Sequence, residues 1–140
     1  MNQKIQKIKI GICGYGNLGR GVELGITQTP DMELAAVFTR RKPTSALKIQ
    51  SNAPVAHVDE AAAWRDKIDV MILCGGSAND LPTQTPHFAK HFNVVDSFDT
   101  HAKIPEHFNH VDISAKSGKK IAVIIMAVDA CRHGCVCRLL

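Results

Sequence analysis

Three groups of residues in this 140-residue chain have types and spacings suited to chemistry. Gly14-Tyr15-Gly16-Asn17-Leu18-Gly19 is a G-x-G-x-x-G run. The first glycine permits a sharp turn, the second leaves room for a diphosphate, and the third lets a helix pack close to a sheet. Thr39-Arg40-Arg41 offers a hydroxyl and two guanidinium forks, a set that suits a phosphate. An NAD site asks instead for an acid about 20 residues past the glycines, to accept from the ribose 2′-OH. No acid stands there, so the expected coenzyme is NADP. The competing reading is a solvated basic loop with Lys42 as its third member. Asp96 and Asp99 form the third group, two carboxylates three residues apart. They suit a cationic group such as an ammonium, or else cap the next turn.

The elements that must position these groups can be read from the pattern. Lys7 to Cys13 alternates like a strand and leads into the glycines. Leu18, Val22, Leu24 and Ile26 predict an amphipathic helix ending near Thr29-Pro30-Asp31. Glu33 to Phe38 is a second strand, closed by Thr39-Arg40-Arg41. Strand, glycine turn, helix and strand make a dinucleotide-binding βαβ unit, whose helix N-terminus offers unpaired N–H groups to phosphates.

Residues 42–54 are polar, contain Pro43 and Pro54, and predict a connection with at most one helical turn. Val55 to Val58 is a short third strand; His57 on it reads as structural, and Asp59 as the N-cap of a helix through Trp64. Ile68 to Cys74 is apolar almost throughout, as for a central parallel strand covered on both faces. It ends in Gly75-Gly76-Ser77, a turn able to face a coenzyme with bare backbone and a hydroxyl. Pro82 and Pro86 sit near the start of a helix reaching Phe92, followed by a fifth strand, Asn93 to Asp96. Pro105 starts a helix closed by Gly118; His107 and His110 read as surface residues on it, and Ile121 to Ile125 is the sixth strand. About six strands with helices between them predict an α/β fold, a Rossmann-type doubly wound parallel sheet with helices on both faces.

Composition agrees. Apolar residues make up 45% and charged residues 21%, as in a globular domain rather than a disordered chain. The net charge of +4 is scattered, which gives no nucleic-acid surface. The longest apolar run, residues 121–128, is too short to span a bilayer, and Lys4, Lys7 and Lys9 precede no apolar signal core, so the expected location is cytoplasmic. Of five cysteines, Cys13 and Cys74 read as reduced fillers at strand ends. Cys131, Cys135 and Cys137 lack a second ligand pair at zinc spacing, so no metal is expected.

Together the motifs resemble meso-diaminopimelate dehydrogenase. They are Gly14-Tyr15-Gly16-Asn17-Leu18-Gly19-Arg20, Pro30-Asp31-Met32-Glu33-Leu34, Phe38-Thr39-Arg40-Arg41, Leu73-Cys74-Gly75-Gly76-Ser77-Ala78 and Val95-Asp96-Ser97-Phe98-Asp99-Thr100-His101, in order from Lys7 to about Ile125. The resemblance covers the family's N-terminal, NADP-binding part. It implies reversible, NADP-dependent oxidative deamination of the D-centre of meso-2,6-diaminopimelate, giving L-2-amino-6-oxopimelate and ammonia for lysine biosynthesis, by a homodimer. It also implies that Tyr15 to Leu18 line the diphosphate and that Thr39, Arg40 and Arg41 hold the 2′-phosphate. Cys74 to Ser77 and Ser97 to Asp99 would flank the nicotinamide, and Asp99, with Asp96 behind or beside it, would meet the substrate ammonium. No general base is identified.

Residues 1–125 thus read as an NADP-binding domain and residues 126–140 as an atypical tail. After the sixth strand the family carries a Gly-Trp-Asp-Pro-Gly turn; here Met126-Ala127-Val128-Asp129-Ala130-Cys131 stands instead, and only Asp129 matches. The tail reads as truncated or out of frame, and such a chain is expected to bind NADPH weakly and turn over little diaminopimelate. Two other readings stay open: another NADP-dependent oxidoreductase of similar architecture, and a non-catalytic NADPH-binding domain.

Overall fold

A computed structural model describes residues 6–125. Six strands form one sheet: β1 (Ile8–Cys13), β2 (Met32–Thr39), β3 (Val55–His57), β4 (Val70–Leu73), β5 (Asn93–Asp96) and β6 (Ala122–Ile124). Their order is β3-β2-β1-β4-β5-β6, and every neighbouring pair is parallel. The order reverses between β1 and β4, where the chain leaves β1 for β2 on one side and later returns to lay β4 on the other. That reversal opens a crevice at the strands' carboxyl ends. The predicted doubly wound sheet is the one observed.

Three helices cover it: α1 (Asn17–Thr27), α2 (Leu81–Ala89) and α3 (Ile104–Gly118). The sheet separates two apolar layers. One packs Ile10, Ile12 and Val37 against Ile26 of α1. The larger packs Phe38, Met71, Leu73 and Val94 against Leu81 and Phe88 of α2 and Val111 of α3. Strands apolar on both faces are what such a sandwich requires.

Several details differ from the sequence reading, each for a local reason. The buried stripe of α1 runs through Gly19, Glu23 and Ile26, while Leu18 and Leu24 lie exposed. Residues four and three apart share a helix face, so Gly19 sets the stripe, and the apolar count alone misplaces it. The turn after β3 is a 3-10 helix, Val58–Trp64, and Asp59 is not its cap. His57 Nδ1 accepts the Asp59 N–H at 3.3 Å, so the histidine is structural, as expected, but does the capping itself. Pro86 lies inside α2, which ends at Ala89 rather than Phe92. Lys119, with φ 53°, takes the left-handed position that ends α3. Gly118 serves a close approach instead, because a Cβ there would lie 2.2 Å from the Lys90 carbonyl oxygen.

Candidate functional site

A cleft of about 460 Å³ opens at the carboxyl ends of β1, β2 and β4. Gly14 to Gly16 form its floor, Phe38 to Arg41 one wall, and Cys74 to Gly76 with Asp80 and Gln84 the other. Gly14 holds φ at +93°, and a Cβ there would meet the Cys74 carbonyl at 3.1 Å. Its N–H donates to the Phe38 carbonyl at 2.9 Å, which fixes the turn to β2. The Cys74 N–H donates to the Cys13 carbonyl at 2.8 Å, which fixes the opposite wall to β1. A Cβ on Gly19 would lie 2.4 Å from the Gly14 carbonyl oxygen, so only glycine lets α1 sit directly on the turn. A Cβ on Gly16 would meet nothing within 4 Å. That side of the loop faces open space.

The N-terminus of α1 has no side-chain cap and no acid in its first turn. Its unpaired N–H groups and partial positive charge are therefore left for an anion. Asn17 and Leu18 contribute through backbone in that first turn; half-exposed Leu18 does not line the cleft. The Tyr15 ring lines it only in part, because its hydroxyl turns away from the cleft and donates to Glu23. Glu23 is fully buried and also accepts the Ser51 N–H at 2.8 Å and the Gln50 N–H at 3.3 Å. Burial pushes its carboxyl pKa up, but the hydrogen bonds from Ser51, Tyr15 and Gln50 outweigh that and hold it below the ordinary value. Burial, and then the bond to Glu23, raises the Tyr15 pKa. The pair clamps the 50–51 loop against α1.

At the far end, the Thr39 hydroxyl accepts the Arg41 N–H at 3.1 Å and is itself buried. Arg40 and Arg41 are exposed. Arg40 reaches across the cleft to Asp80: Nη1 lies 2.8 Å from Oδ1, and Nη2 donates to Oδ2 at 3.1 Å. Thr39, Arg40 and Arg41 thus converge on one wall. Cys13 and Cys74 are protonated thiols there, because burial lifts both pKa values to about 12. Neither is a nucleophile near neutral pH.

Beyond Gly76 the second lip is built by Ser77. Its Oγ accepts the Asp99 N–H at 2.9 Å and lies 3.0 Å from Thr100 Oγ1, which ties the β4 loop to the β5 loop. Ser97 Oγ donates to the Leu73 carbonyl at 3.1 Å. The exposed Asp99 carboxylate has no partner among the described residues. Asp96 corrects the expectation: it is fully buried and cannot meet a substrate ammonium. Its carboxylate accepts from Thr85 Oγ1 at 2.6 Å and from the Phe98 N–H, and lies 2.6 Å from His107 Nε2. His107, expected at the surface, is buried and stacks on the Phe98 ring at 4.0 Å. Phe98 therefore points at α3 and can flank a ligand only with its backbone. Asp129 lies outside the described residues, as do Cys131, Cys135 and Cys137. Among the described residues no cluster suits a metal ion.

Asp80, Gln84, Glu23 and His107 were not anticipated. One signal for Glu23 was available: an acid four residues after Gly19, on the face that the third glycine must press to the sheet. Asp80 reads in sequence only as an acid before Leu81-Pro82, and its reach to Arg40 depends on strand order.

The comparisons extend the geometry. No family model matches the chain. It is 58% identical over 125 residues to the meso-diaminopimelate D-dehydrogenase of Ureibacillus thermosphaericus, covering 89% of this chain and 38% of that protein. A meso-DAPDH mutant from Clostridium tetani, solved with DAP, superposes with a TM-score of 0.76 at 50% identity, over 84% of this chain and 36% of that one. An engineered D-amino acid dehydrogenase bound to NADP+ gives a TM-score of 0.77 at 38% identity, over 84% and 35%. The chain thus spans a little over a third of the length of these relatives. Over that shared span the chain is similar, in sequence and in fold, to the meso-diaminopimelate D-dehydrogenases.

Proposed function

We propose that this chain is the NADP-binding part of an enzyme that oxidatively deaminates the D-centre of meso-diaminopimelate. The observation that carries the coenzyme reading is the distribution of charge along the cleft. An uncapped helix N-terminus stands at the glycine turn, and Thr39, Arg40 and Arg41 stand at the end of β2. The open side of Gly16 fits a diphosphate, and the arginines fit a 2′-phosphate. The solved relative bound to NADP+ supports the same choice. When bound, the coenzyme accepts a hydride from the amine-bearing carbon of the substrate.

The chain's own residues bind and orient. The Gly14–Gly16 backbone holds the bridge, the arginines hold the adenosine end, and the Ser77–Asp99 link sets the spacing of the two lips on which a nicotinamide would rest. Asp99 supplies a carboxylate for an ammonium at that lip. The ammonium must first give up a proton; loss of the hydride then leaves an iminium, water adds to its carbon, and the C–N bond breaks to leave a carbonyl, ammonia and a second proton. A small amino acid is the substrate class, and a homodimer in the cytoplasm is the proposed setting. Displacement of bound NADPH tests the coenzyme reading. 2′,5′-ADP should compete at least about tenfold better than 5′-AMP, as expected for charge-assisted bonds to one phosphate. Equal competition would remove the basis for choosing NADP.

A further inference from the structure

The Arg40–Asp80 pair lies where the 2′-phosphate would bind. Asp80 takes both terminal nitrogens of Arg40, the edge with which a guanidinium grips a phosphate. The acid is held in place. Its Oδ2 also accepts the Gly76 N–H at 2.9 Å. The loop folds tightly round it: a Cβ on Gly75 would lie 3.0 Å from Asp80 Cβ, and one on Gly76 would lie 3.2 Å from Asp80 Oδ2. The Asp80 side chain is 17% exposed and the Arg40 side chain 66%. Arg40 is therefore the partner free to move, and Asp80 stays.

We propose that Asp80 is a coenzyme-selectivity residue that competes with the 2′-phosphate for Arg40. The proposal rests on the NADP reading. A phosphate monoester and a carboxylate are like charges, and they cannot both take the same fork of one guanidinium. NADPH must displace the carboxylate to engage Arg40, whereas NADH, lacking the phosphate, leaves the pair intact. Asp80 thus lowers NADPH affinity selectively and narrows the preference that Arg40 and Arg41 create. A coenzyme held less tightly leaves sooner after each turnover.

Asp80→Asn tests this, because the amide oxygen still accepts from Gly76 while the competing charge is lost. NADPH should bind about fivefold tighter, the size expected for freeing an exposed ion pair, and NADH should change by less than about twofold. In an Arg40→Ala background the same substitution should give no gain. Asp80→Ser, which also keeps an acceptor near Gly76, should move NADPH binding in the same direction. Circular dichroism melting verifies that each variant is folded. Unchanged or weaker NADPH binding in the folded Asp80 variants overturns the inference; the carboxylate would then hold Arg40 ready for the phosphate. A gain that survives in the Arg40→Ala background overturns it too. Wild-type chain that prefers NADPH, with silent Asp80 variants, sinks this inference alone. Wild-type chain with no preference sinks the NADP reading and this inference together.

Discussion

Alanine at Gly16 and alanine at Gly19 should fail in different ways, and the difference follows from two distances. A methyl at Gly16 meets nothing within 4 Å, and the backbone there is extended, at φ −94° and ψ −153°, which alanine adopts freely. Alanine is a poorer N-cap than glycine, but it restricts the unfolded chain; the two effects are each below about 1 kcal/mol and oppose one another. Stability should stay within about 0.5 kcal/mol of wild type. A methyl at Gly19 would lie 2.4 Å from the Gly14 oxygen, so α1 must back away from the turn or the turn must open. Overpacking of this kind costs about 1–3 kcal/mol. For a domain of this size that lowers the melting temperature by roughly 3–15 °C. The assay is thermal unfolding by circular dichroism beside an NADPH titration. Gly16→Ala should melt with wild type yet lose at least about tenfold in NADPH affinity, since its methyl fills the space kept for the diphosphate. Gly19→Ala should lose stability as well as binding. A Gly16→Ala variant that melts early, or that binds NADPH like wild type, would refute the assignment of that open face to the ligand.

Two further predictions concern buried charge. The Glu23 carboxyl has a folded pKa below 4.5, so between that value and 4.5 the unfolded chain binds more protons. Its contribution is fully present above pH 4.5 and is lost as pH falls through the folded pKa. Urea midpoints measured across that window should fall less in Glu23→Gln than in wild type, and an identical acid slope would contradict the assignment. His107→Ala should cost about 1.5–3 kcal/mol, because it removes one hydrogen bond from the fully buried Asp96 carboxyl group and strips the stacked face of Phe98. A loss below about 1 kcal/mol in urea unfolding would show that water replaces the ring at no cost.

The first βαβ unit was legible because each of its parts is local. Gly14, Gly16 and Gly19 speak through backbone geometry, and β2 ends where Thr39-Arg40-Arg41 begins. The doubly wound parallel sheet followed from the alternation of apolar runs with helices, whereas the order β3-β2-β1-β4-β5-β6 comes from the structure. Asp96 was misread because its neighbours in sequence show a strand end, and strand ends in such sheets face ligands. What buries it comes from elsewhere, from Thr85 on α2 and His107 on α3. His107 was misread for the same reason, since no local pattern distinguishes a buried hydrogen-bond partner from a solvated helical histidine. Asp80 reaches Arg40 across forty positions of chain. The inner face of α1 was missed because a charged residue, Glu23, occupies a buried position and belongs there only with Tyr15, Gln50 and Ser51 around it.

The central claim is that two arginines at the end of β2 choose the phosphorylated coenzyme. Calorimetric titration of NADPH and of NADH into wild type and an Arg40→Ala/Arg41→Ala variant addresses it directly. Loss of two charge-assisted contacts should weaken NADPH by at least about tenfold and leave NADH within about twofold. An unchanged ratio of the two affinities in a folded variant would contradict the account.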